Sequence, residues 1–163
     1  MTLKEAIAQN TKLRQATLLF LIKEGEILLA MKKRGFGVNK WNGVGGKVQP
    51  GESVEEAAKR ETREEIGVEV DHLEKMGELS FYFENKSDWN QQVIVYRSRD
   101  WRGEPQESEE MAPKWVRFDE VPYKEMWEDD ADWLPHLIAG KQFEAYFLFD
   151  EEEKVKEKEI KVL

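Results

Sequence analysis

Three glutamates with helical spacing carry the most distinctive chemistry in the sequence. Glu61, Glu64 and Glu65 stand at positions i, i+3 and i+4, so a helix places them on one face. A Glu-rich helix is most often a solvated surface, although neighbouring like charges repel by roughly 0.2–0.5 kcal/mol per pair. The alternative is a cation held between them. Because the chain has no cysteine and no histidine nearby, carboxylate oxygens alone favour Mg²⁺ or Mn²⁺ over zinc.

The helix that carries these glutamates has clear start and stop signals. Ser53 suits its N-cap and Gly67 its C-terminal cap. At about 100° per residue, Val54, Ala57 and Ala58 fall on the same side as the glutamates. The inner face therefore begins small and apolar and ends acidic, which is unusual for a face that packs on a core.

A wider spacing pattern surrounds the glutamates. From Gly46 the chain reads Gly-x5-Glu-x7-Arg-Glu-x-x-Glu-Glu-x-Gly followed by an aliphatic residue, with Glu52 and Arg60 at the first acidic and the basic positions. This pattern resembles the Nudix box of the Nudix hydrolase family, and all seven fixed residues match. Thr62 departs from it, because the box has an aliphatic residue there, and we expect weaker packing behind the helix. The match favours a metal-binding helix over a solvated one.

The resemblance implies a role for each residue of the box. Glu65 is the first candidate for the general base and Glu64 the second. Glu52 and Arg60 are implied to form an ion pair that orients the loop against the helix. Gly46 is implied to allow a tight loop with a backbone carbonyl near the metal. The implied metal contacts are Gly45, Glu61, Glu64, Glu65 and Glu110, holding Mg²⁺, with Mn²⁺ as the alternative ion.

Stretches outside the box resemble one branch of the family, whose members hydrolyse oxidised purine nucleoside triphosphates. These stretches are residues 31–47, 107–111 and 123–130. The resemblance implies that Asn42, Asp129 and Asp130 bind the base edges and that Trp127 stacks on the purine. Two adjacent carboxyl groups can share one proton, so that one donates a hydrogen bond while the other accepts one. The implied substrate-binding residues are Thr17, Lys32, Phe36, Asn42, Val44, Gly45, Gly46, Lys47, Phe81, Phe83, Trp127, Glu128, Asp129 and Asp130.

Several of these residues also have simpler interpretations. Asp129 and Asp130 suit the first turn of a second helix, where carboxylates interact favourably with the helix dipole. Asn42 suits a turn, residues 32–34 suit a solvated basic cluster, and a lone Trp127 is more often a core residue. The sequence alone leaves these alternatives open.

The remaining elements predict one α/β domain over residues 1–163. The resemblance implies an α/β/α sandwich around a mixed sheet, and residues 1–12 are expected to be an arm or a frayed helix. The second helix is expected between 129 and 139 with a late start, since Pro135 is unfavourable inside a helix. The charged last strand is expected at a sheet edge. The predicted strands are 14–22, 27–31, 68–73, 76–83, 92–98, 114–118, 143–149 and 154–162.

Composition excludes several classes of protein. With 25 Lys and Arg against 34 Asp and Glu, the net charge of −9 disfavours binding to nucleic-acid polymers and anionic membranes. The absence of cysteine excludes disulfide scaffolds, thiolate zinc sites and cysteine nucleophiles. We expect a cytoplasmic monomer whose partner is a nucleoside triphosphate.

The resemblance implies Mg²⁺-dependent hydrolysis of 8-oxo-dGTP, and of 2-hydroxy-dATP, to the monophosphate and pyrophosphate. Such a reaction sanitises the nucleotide pool and avoids DNA damage. Two alternatives remain open: a Nudix hydrolase for an unmodified nucleoside triphosphate, a dinucleoside polyphosphate or an ADP-sugar, and a nucleotide-binding sensor without turnover. The intact carboxylate set argues against the sensor, because binding alone needs no water-activating site.

Overall fold

The fold is built on a mixed sheet of eight strands, with helices on both faces. The computed structural model describes residues 1–163 throughout. The strand order is β3-β2-β1-β5-β4-β7-β8, and β6 pairs with β2. The elements are α1 (Leu3–Gln9), β1 (Arg14–Lys23), β2 (Glu26–Lys32), β3 (Trp41–Asn42), α2 (Val54–Ile66), β4 (Glu69–Phe83), β5 (Gln91–Arg102), β6 (Met111–Arg117), α3 (Asp130–Ile138), β7 (Phe143–Phe149) and β8 (Val155–Val162).

Alternation along the strands produces a core on each face of the sheet. In β5, Val93 and Val95 pack in the cluster that contains Trp133 of α3, whereas Ile94 packs in the cluster that contains Ile66 of α2. This arrangement confirms the predicted α/β/α sandwich. None of the helices has the length and hydropathy that a membrane span requires.

The strand β1 carries the loop that shapes the site. β1 and β2 pair only next to their hairpin turn, at residues 22–23 and 26–27. Beyond the hairpin, β1 pairs instead with the loop that follows β3, where Val44 lies opposite Leu19 and Lys47 lies opposite Ala16. Two backbone hydrogen bonds between Leu19 and Val44, of 2.7 and 3.0 Å, hold this loop against the sheet. The loop is therefore held to β1 by the same kind of backbone pairing that joins neighbouring strands.

Two expectations about the elements are wrong in detail, and of the two alternatives for residues 1–12 the structure has the helix. Residues 68–73 and 76–83 belong to one long strand, β4, whose register against β5 shifts at three bulges. Pro135 does not delay α3, because it lies inside that helix with its ring exposed to solvent. Residues 3–9 form a helix capped by Thr2, and Leu3 and Ala6 pack on Tyr82 and Leu148. The edge position of β8 is confirmed.

Candidate active site

One deep cleft opens at the end of the sheet where β1 and β5 begin and β2, β4 and β7 end. Its volume is about 770 Å³. The loop of residues 43–49 and the acidic face of α2 line one end of it, and the segment before α3 lines the other. We call these the phosphate end and the base end. Nearly all of the residues implied by the resemblance line this one cleft.

Local signals fix α2 as the sequence predicts. Ser53 and Glu56 form a reciprocal capping box, and Gly67 ends the helix in the left-handed conformation at φ 72°. Thr62 is fully buried, and its hydroxyl donates to the carbonyl of Ala58 at 2.8 Å. The hydroxyl is thus satisfied within the helix, and the helix remains closely packed against β1.

Glu65 is the buried acid of the phosphate end. Only 5% of its surface is exposed, and it accepts the backbone N–H of Gly45 at 3.2 Å. Burial, and next the charge of Glu61, raises the pKa of Glu65 to about 8. Lys32 opposes this shift through its positive charge. A buried carboxyl group beside a second carboxylate is stabilised in its ionised form by added positive charge.

The outer carboxylates are held by Arg60. Its guanidinium donates two hydrogen bonds to Glu52, at 2.8 and 2.9 Å, and others to Glu61 at 2.8 Å and Glu64 at 3.1 Å. These bonds with Arg60, and next the N–H of Gln49, lower the pKa of Glu52 to about 2. The ion pair between Arg60 and Glu52 is present as predicted.

The three glutamates of the box, Glu61, Glu64 and Glu65, do not converge on one point. The side chain of Glu64 is 57% exposed and turned to Arg60, whereas Glu61 contacts Glu65. No group of three acidic or histidine side chains lies close enough together to hold an ion. The donor set nevertheless fits a hard divalent cation, because it consists of carboxylate oxygens and Glu65 is buried beside a second carboxylate, that of Glu61.

The two glycines of the loop are required by space and not by conformation. A Cβ on residue 46 would lie 2.7 Å from the carboxyl carbon of Glu61, and one on residue 45 would overlap the backbone of Thr17. The Gly46 carbonyl oxygen accepts the N–H of Thr17 at 2.9 Å, which ties the loop to β1. A carbonyl oxygen has a second lone pair, so the expected place of this carbonyl near the metal stays a prediction.

Asp129 and Asp130 form the polar floor of the base end. Each is 2% exposed, and the indole N–H of Trp133 donates to Asp129 Oδ2 at 2.7 Å. Asp129 stands at the N-cap of α3 but makes no capping hydrogen bond, so helix capping does not explain the pair. Asp130 Oδ2 is buried without any partner. Burial raises the pKa of Asp129 to about 6 and, together with the Asp129 charge, raises that of Asp130 well above its ordinary value.

Aromatic side chains form the wall beside this acidic pair. Trp127 is half-buried and lines the cleft, and Phe36 stacks on it with ring centroids 5.2 Å apart and planes inclined by 25°. Phe81, Phe83 and Phe149 line the same end. Trp127 is therefore part of the cleft surface and not a core residue.

The loop after β2 brings a basic cluster to the cleft. Lys32 Nζ lies 3.8 Å from Glu110, and Arg34 Nε donates to Glu110 at 2.7 Å. Glu110 lines the cleft, and its hydrogen bond with Arg34 lowers its pKa. Asn42 lines the cleft too, and its side-chain oxygen accepts the N–H of Gly43 at 2.8 Å. The Asn42 amide N–H₂ remains available to a ligand.

The overall pattern of one acidic helix, one glycine loop and one cleft matches a known family. A family model described as the NUDIX domain matches residues 12–137 of this chain. The chain belongs to the Nudix family. The expected membership, made from the spacing of the box, is thus confirmed.

Two Nudix relatives carry the same printed name, oxidized purine nucleoside triphosphate hydrolase. The protein from Danio rerio is 47% identical over 133 residues, which are 82% of this chain and 85% of that protein. The protein from Mus musculus is 42% identical over 142 residues, which are 87% of this chain and 90% of that protein.

A solved Nudix-like structure supports the fold independently. The mutator MutT protein from Bacillus halodurans superposes with a TM-score of 0.81 at 25% identity, covering 91% of this chain and 97% of that one. Similarity over nearly the full length of both chains indicates the same arrangement of sheet and helices.

Two of the expected substrate-binding residues lie outside the cleft of this Nudix domain. Val44 is 1% exposed and packs in the core with Leu19, because its place in the bridge with β1 turns its side chain inward. Glu128 points away to the turn between β7 and β8, where it accepts the N–H of Val155 at 3.0 Å and pairs with Lys154. Neither side chain is positioned to touch a nucleotide in the cleft.

Sequence reasoning missed some residues that line the Nudix cleft. Lys40 and Phe149 are the main ones at the base end. Phe149 was interpreted only as a strand residue, and Lys40 has no motif of its own. Lys40 belongs to the stretch of residues 31–47, two positions before Asn42. Because that stretch forms one wall of the cleft, its position there could have indicated Lys40 as a cleft residue.

Proposed function

We propose that this chain hydrolyses oxidised purine nucleoside triphosphates to the monophosphate and pyrophosphate in a Mg²⁺-dependent reaction. One observation carries the proposal. A single cleft has the carboxylates of the Nudix box at one end and a buried acidic pair beside a tryptophan at the other. The names of the two relatives support the same substrate class. Removing such nucleotides would sanitise the nucleotide pool.

The phosphate end is suited to a polyanion in an otherwise acidic protein. Glu61, Glu64 and Glu65 would hold the cation once Glu64 leaves Arg60, and Glu110 would join from the neighbouring loop. When bound, the ion supplies positive charge that offsets the phosphate charge and lowers the pKa of water. Lys32 and Lys47 line this end, and Lys32 adds positive charge beside Glu65.

The residues of the chain then assist attack by water. Glu65 accepts the proton of the attacking water, because the Gly45 N–H holds its carboxylate in place, and Glu64 is the second candidate. The new bond joins the water oxygen to phosphorus, and the bond that links the α and β phosphoryl groups breaks. The ion pair between Arg60 and Glu52 holds the loop against α2 during this step.

The base end is suited to a purine with altered hydrogen-bonding edges. Asp129 and Asp130 offer one shared proton, so the pair presents both a donor and an acceptor. The Asn42 amide faces the same cleft, and the Trp127 ring offers a stacking surface worth about 1–3 kcal/mol per base. The acidic pair can change its hydrogen-bond polarity, while the Asn42 side chain offers its amide N–H₂, so more than one oxidised purine fits.

A panel of nucleotides tests the proposal. We expect kcat/KM for 8-oxo-dGTP and 2-hydroxy-dATP to agree within about tenfold, and that for dCTP to be at least about a hundredfold lower. Pyrophosphate release is measured with Mg²⁺, and with excess EDTA as the control. A preference for dCTP, a dinucleoside polyphosphate or ADP-ribose would overturn the base assignment. Tight binding without any turnover would show a sensor.

A further inference from the structure

Lys40 lies at the base end without an established task. Its Nζ is 5.2 Å from the centroid of the Trp127 ring, a cation–π distance. Its backbone is fixed on both sides, because its N–H donates to Gly37 and its carbonyl accepts the N–H of Lys32. The side chain thus projects from an anchored turn into the cleft.

Lys40 differs from the other cations of its loop in having no carboxylate within ion-pairing distance. Lys32 and Arg34 both pair with Glu110, and Lys33 pairs with Glu107. No carboxylate lies within 4 Å of the Lys40 ammonium, although it lines the same cleft as the two aspartates. Its charge is therefore available to the base end.

The acidic pair is otherwise short of positive charge. Trp133 donates to Asp129, while Asp132 adds negative charge from within α3 and Tyr123 faces Asp130 from the segment before it. Lys40 is the cation whose charge acts on Asp130, and it lowers the pKa of Asp130 against the effect of burial. The unpartnered Asp130 Oδ2 lies within this environment.

We propose that Lys40 is a specificity-determining residue of the base subsite. Its ammonium serves as the counter-charge of Asp129 and Asp130 and keeps one of the two carboxylates ionised when the base binds. This inference rests on the proposed function, because it needs the pair to bind the base. A pair with one proton can donate to the purine oxygen O6 and accept from N1–H with a charged carboxylate, whereas a doubly protonated pair accepts only through a neutral carbonyl oxygen, which is the weaker acceptor.

Nuclear magnetic resonance measures the ionisation of the pair without using catalysis. The Trp133 indole N–H, bonded to Asp129, gives one of six indole ¹H–¹⁵N signals, which Trp133→Phe assigns. We expect Lys40→Met to move the midpoint of its pH titration upward by about one pH unit, because a carboxylate loses a nearby cation. Lys40→Arg keeps the charge and should leave the midpoint within about 0.3 pH unit of the wild type.

Lys33→Met is the matched control, because it removes the same charge from the same loop outside the cleft. It should leave the titration unchanged. In kinetics at pH 6, Lys40→Met should lower the ratio of kcat/KM for 8-oxo-dGTP to kcat/KM for dCTP at least about fivefold. Both nucleotides carry the same triphosphate, so any effect of the substitution on the phosphate end cancels in this ratio. A Lys40→Gln variant provides a second neutral replacement.

The outcomes separate this inference from the function on which it rests. An unmoved midpoint, or an equal rise in KM for every nucleotide, would overturn the role of Lys40 and indicate a phosphate contact. If Asp130→Asn still changed the nucleotide ratio, the proposed function would stand. If neither Lys40→Met nor Asp130→Asn changed that ratio, the acidic pair would not bind the base and both proposals would fail.

Discussion

The carboxylate of Glu65 accepts the backbone N–H of Gly45 at 3.2 Å, and this bond joins α2 to the loop that is paired with β1. A helix residue and a loop residue that are 20 positions apart thus meet at one buried acid. The position of Glu65 depends on both elements, so a displacement of the loop also displaces the Glu65 carboxylate.

Glu65→Gln should lower kcat by about 10²–10⁴, the usual contribution of a general base or of water activation. The fold should be retained, since an amide has the same shape as the carboxyl group and its oxygen can still accept the Gly45 N–H. Single-turnover kinetics with 8-oxo-dGTP and a thermal melt measure both effects. Glu55→Gln is the control, because Glu55 is exposed on the same helix. Near-normal turnover by a folded Glu65→Gln protein would rule out this role.

Replacing the two loop glycines should give two different defects. In Gly46→Ala the new Cβ meets the end of the Glu61 side chain, which can rotate away, so activity falls while stability changes little. In Gly45→Ala the Cβ meets the backbone of Thr17, so β1 must shift and stability falls by about 1–3 kcal/mol. Urea denaturation and kcat/KM, measured on both variants, test this division. Equal loss of stability in both would contradict it.

Asp129→Asn and Asp130→Asn should each impair the preferred oxidised purine more than a poor substrate. An amide cannot share a proton with its neighbour, so one contact to the base is lost or reversed. The loss of about 1–3 kcal/mol corresponds to roughly 5- to 150-fold in kcat/KM. Steady-state kinetics on 8-oxo-dGTP and dCTP give the comparison. Small, equal losses on both nucleotides would assign the pair to structure.

The acidic pair should also make folding stability depend on pH. The pKa of Asp129 rises from 3.8 to about 6, so between these two pH values the folded state holds a proton that the unfolded state has released. This stabilisation is complete below pH 3.8 and is lost as the pH rises through 6. Asp130→Asn should therefore gain stability relative to the wild type between pH 5 and pH 7.5.

Urea denaturation at several pH values checks that difference. Asp119→Asn is the control, because the Asp119 side chain is 73% exposed and pairs with Arg117 on the surface. Its stability should run parallel to the wild type over the same range. A parallel curve for Asp130→Asn as well would show that the pair does not hold the proton.

The sequence predicted the phosphate end from local patterns. Helix caps, glycines and the box lie within residues 46–68, where spacing along the chain largely determines proximity in space. The direction of the Glu64 side chain was not predictable, because it depends on a hydrogen bond from Arg60, which has other carboxylates within reach. The hydrogen bond that the Gly46 carbonyl accepts from Thr17 was not predictable either, since the bridge between the loop and β1 is a long-range pairing.

The base end depended on resemblance, because its residues come from distant parts of the chain. Asp129 and Asp130 have no local pattern that separates helix capping from a buried pocket, and only packing against Trp133 makes the difference. Val44 and Glu128 adjoin true cleft residues in sequence, yet a backbone pairing and a hydrogen bond to Val155 turn them away. Adjacency along the chain does not specify the direction of a side chain.

The two ends of the cleft differ in how they are attached to the sheet, and this has an evolutionary consequence. The phosphate end is built from α2 and from a loop paired with β1, so substitutions there disturb the register of the fold. The base end takes Asn42 and three phenylalanines from strands, whereas its remaining residues, within 33–40 and 123–130, lie outside the strands. Natural variation or a randomised library confined to those two segments can alter which base is accepted while the hydrolytic machinery is inherited unchanged.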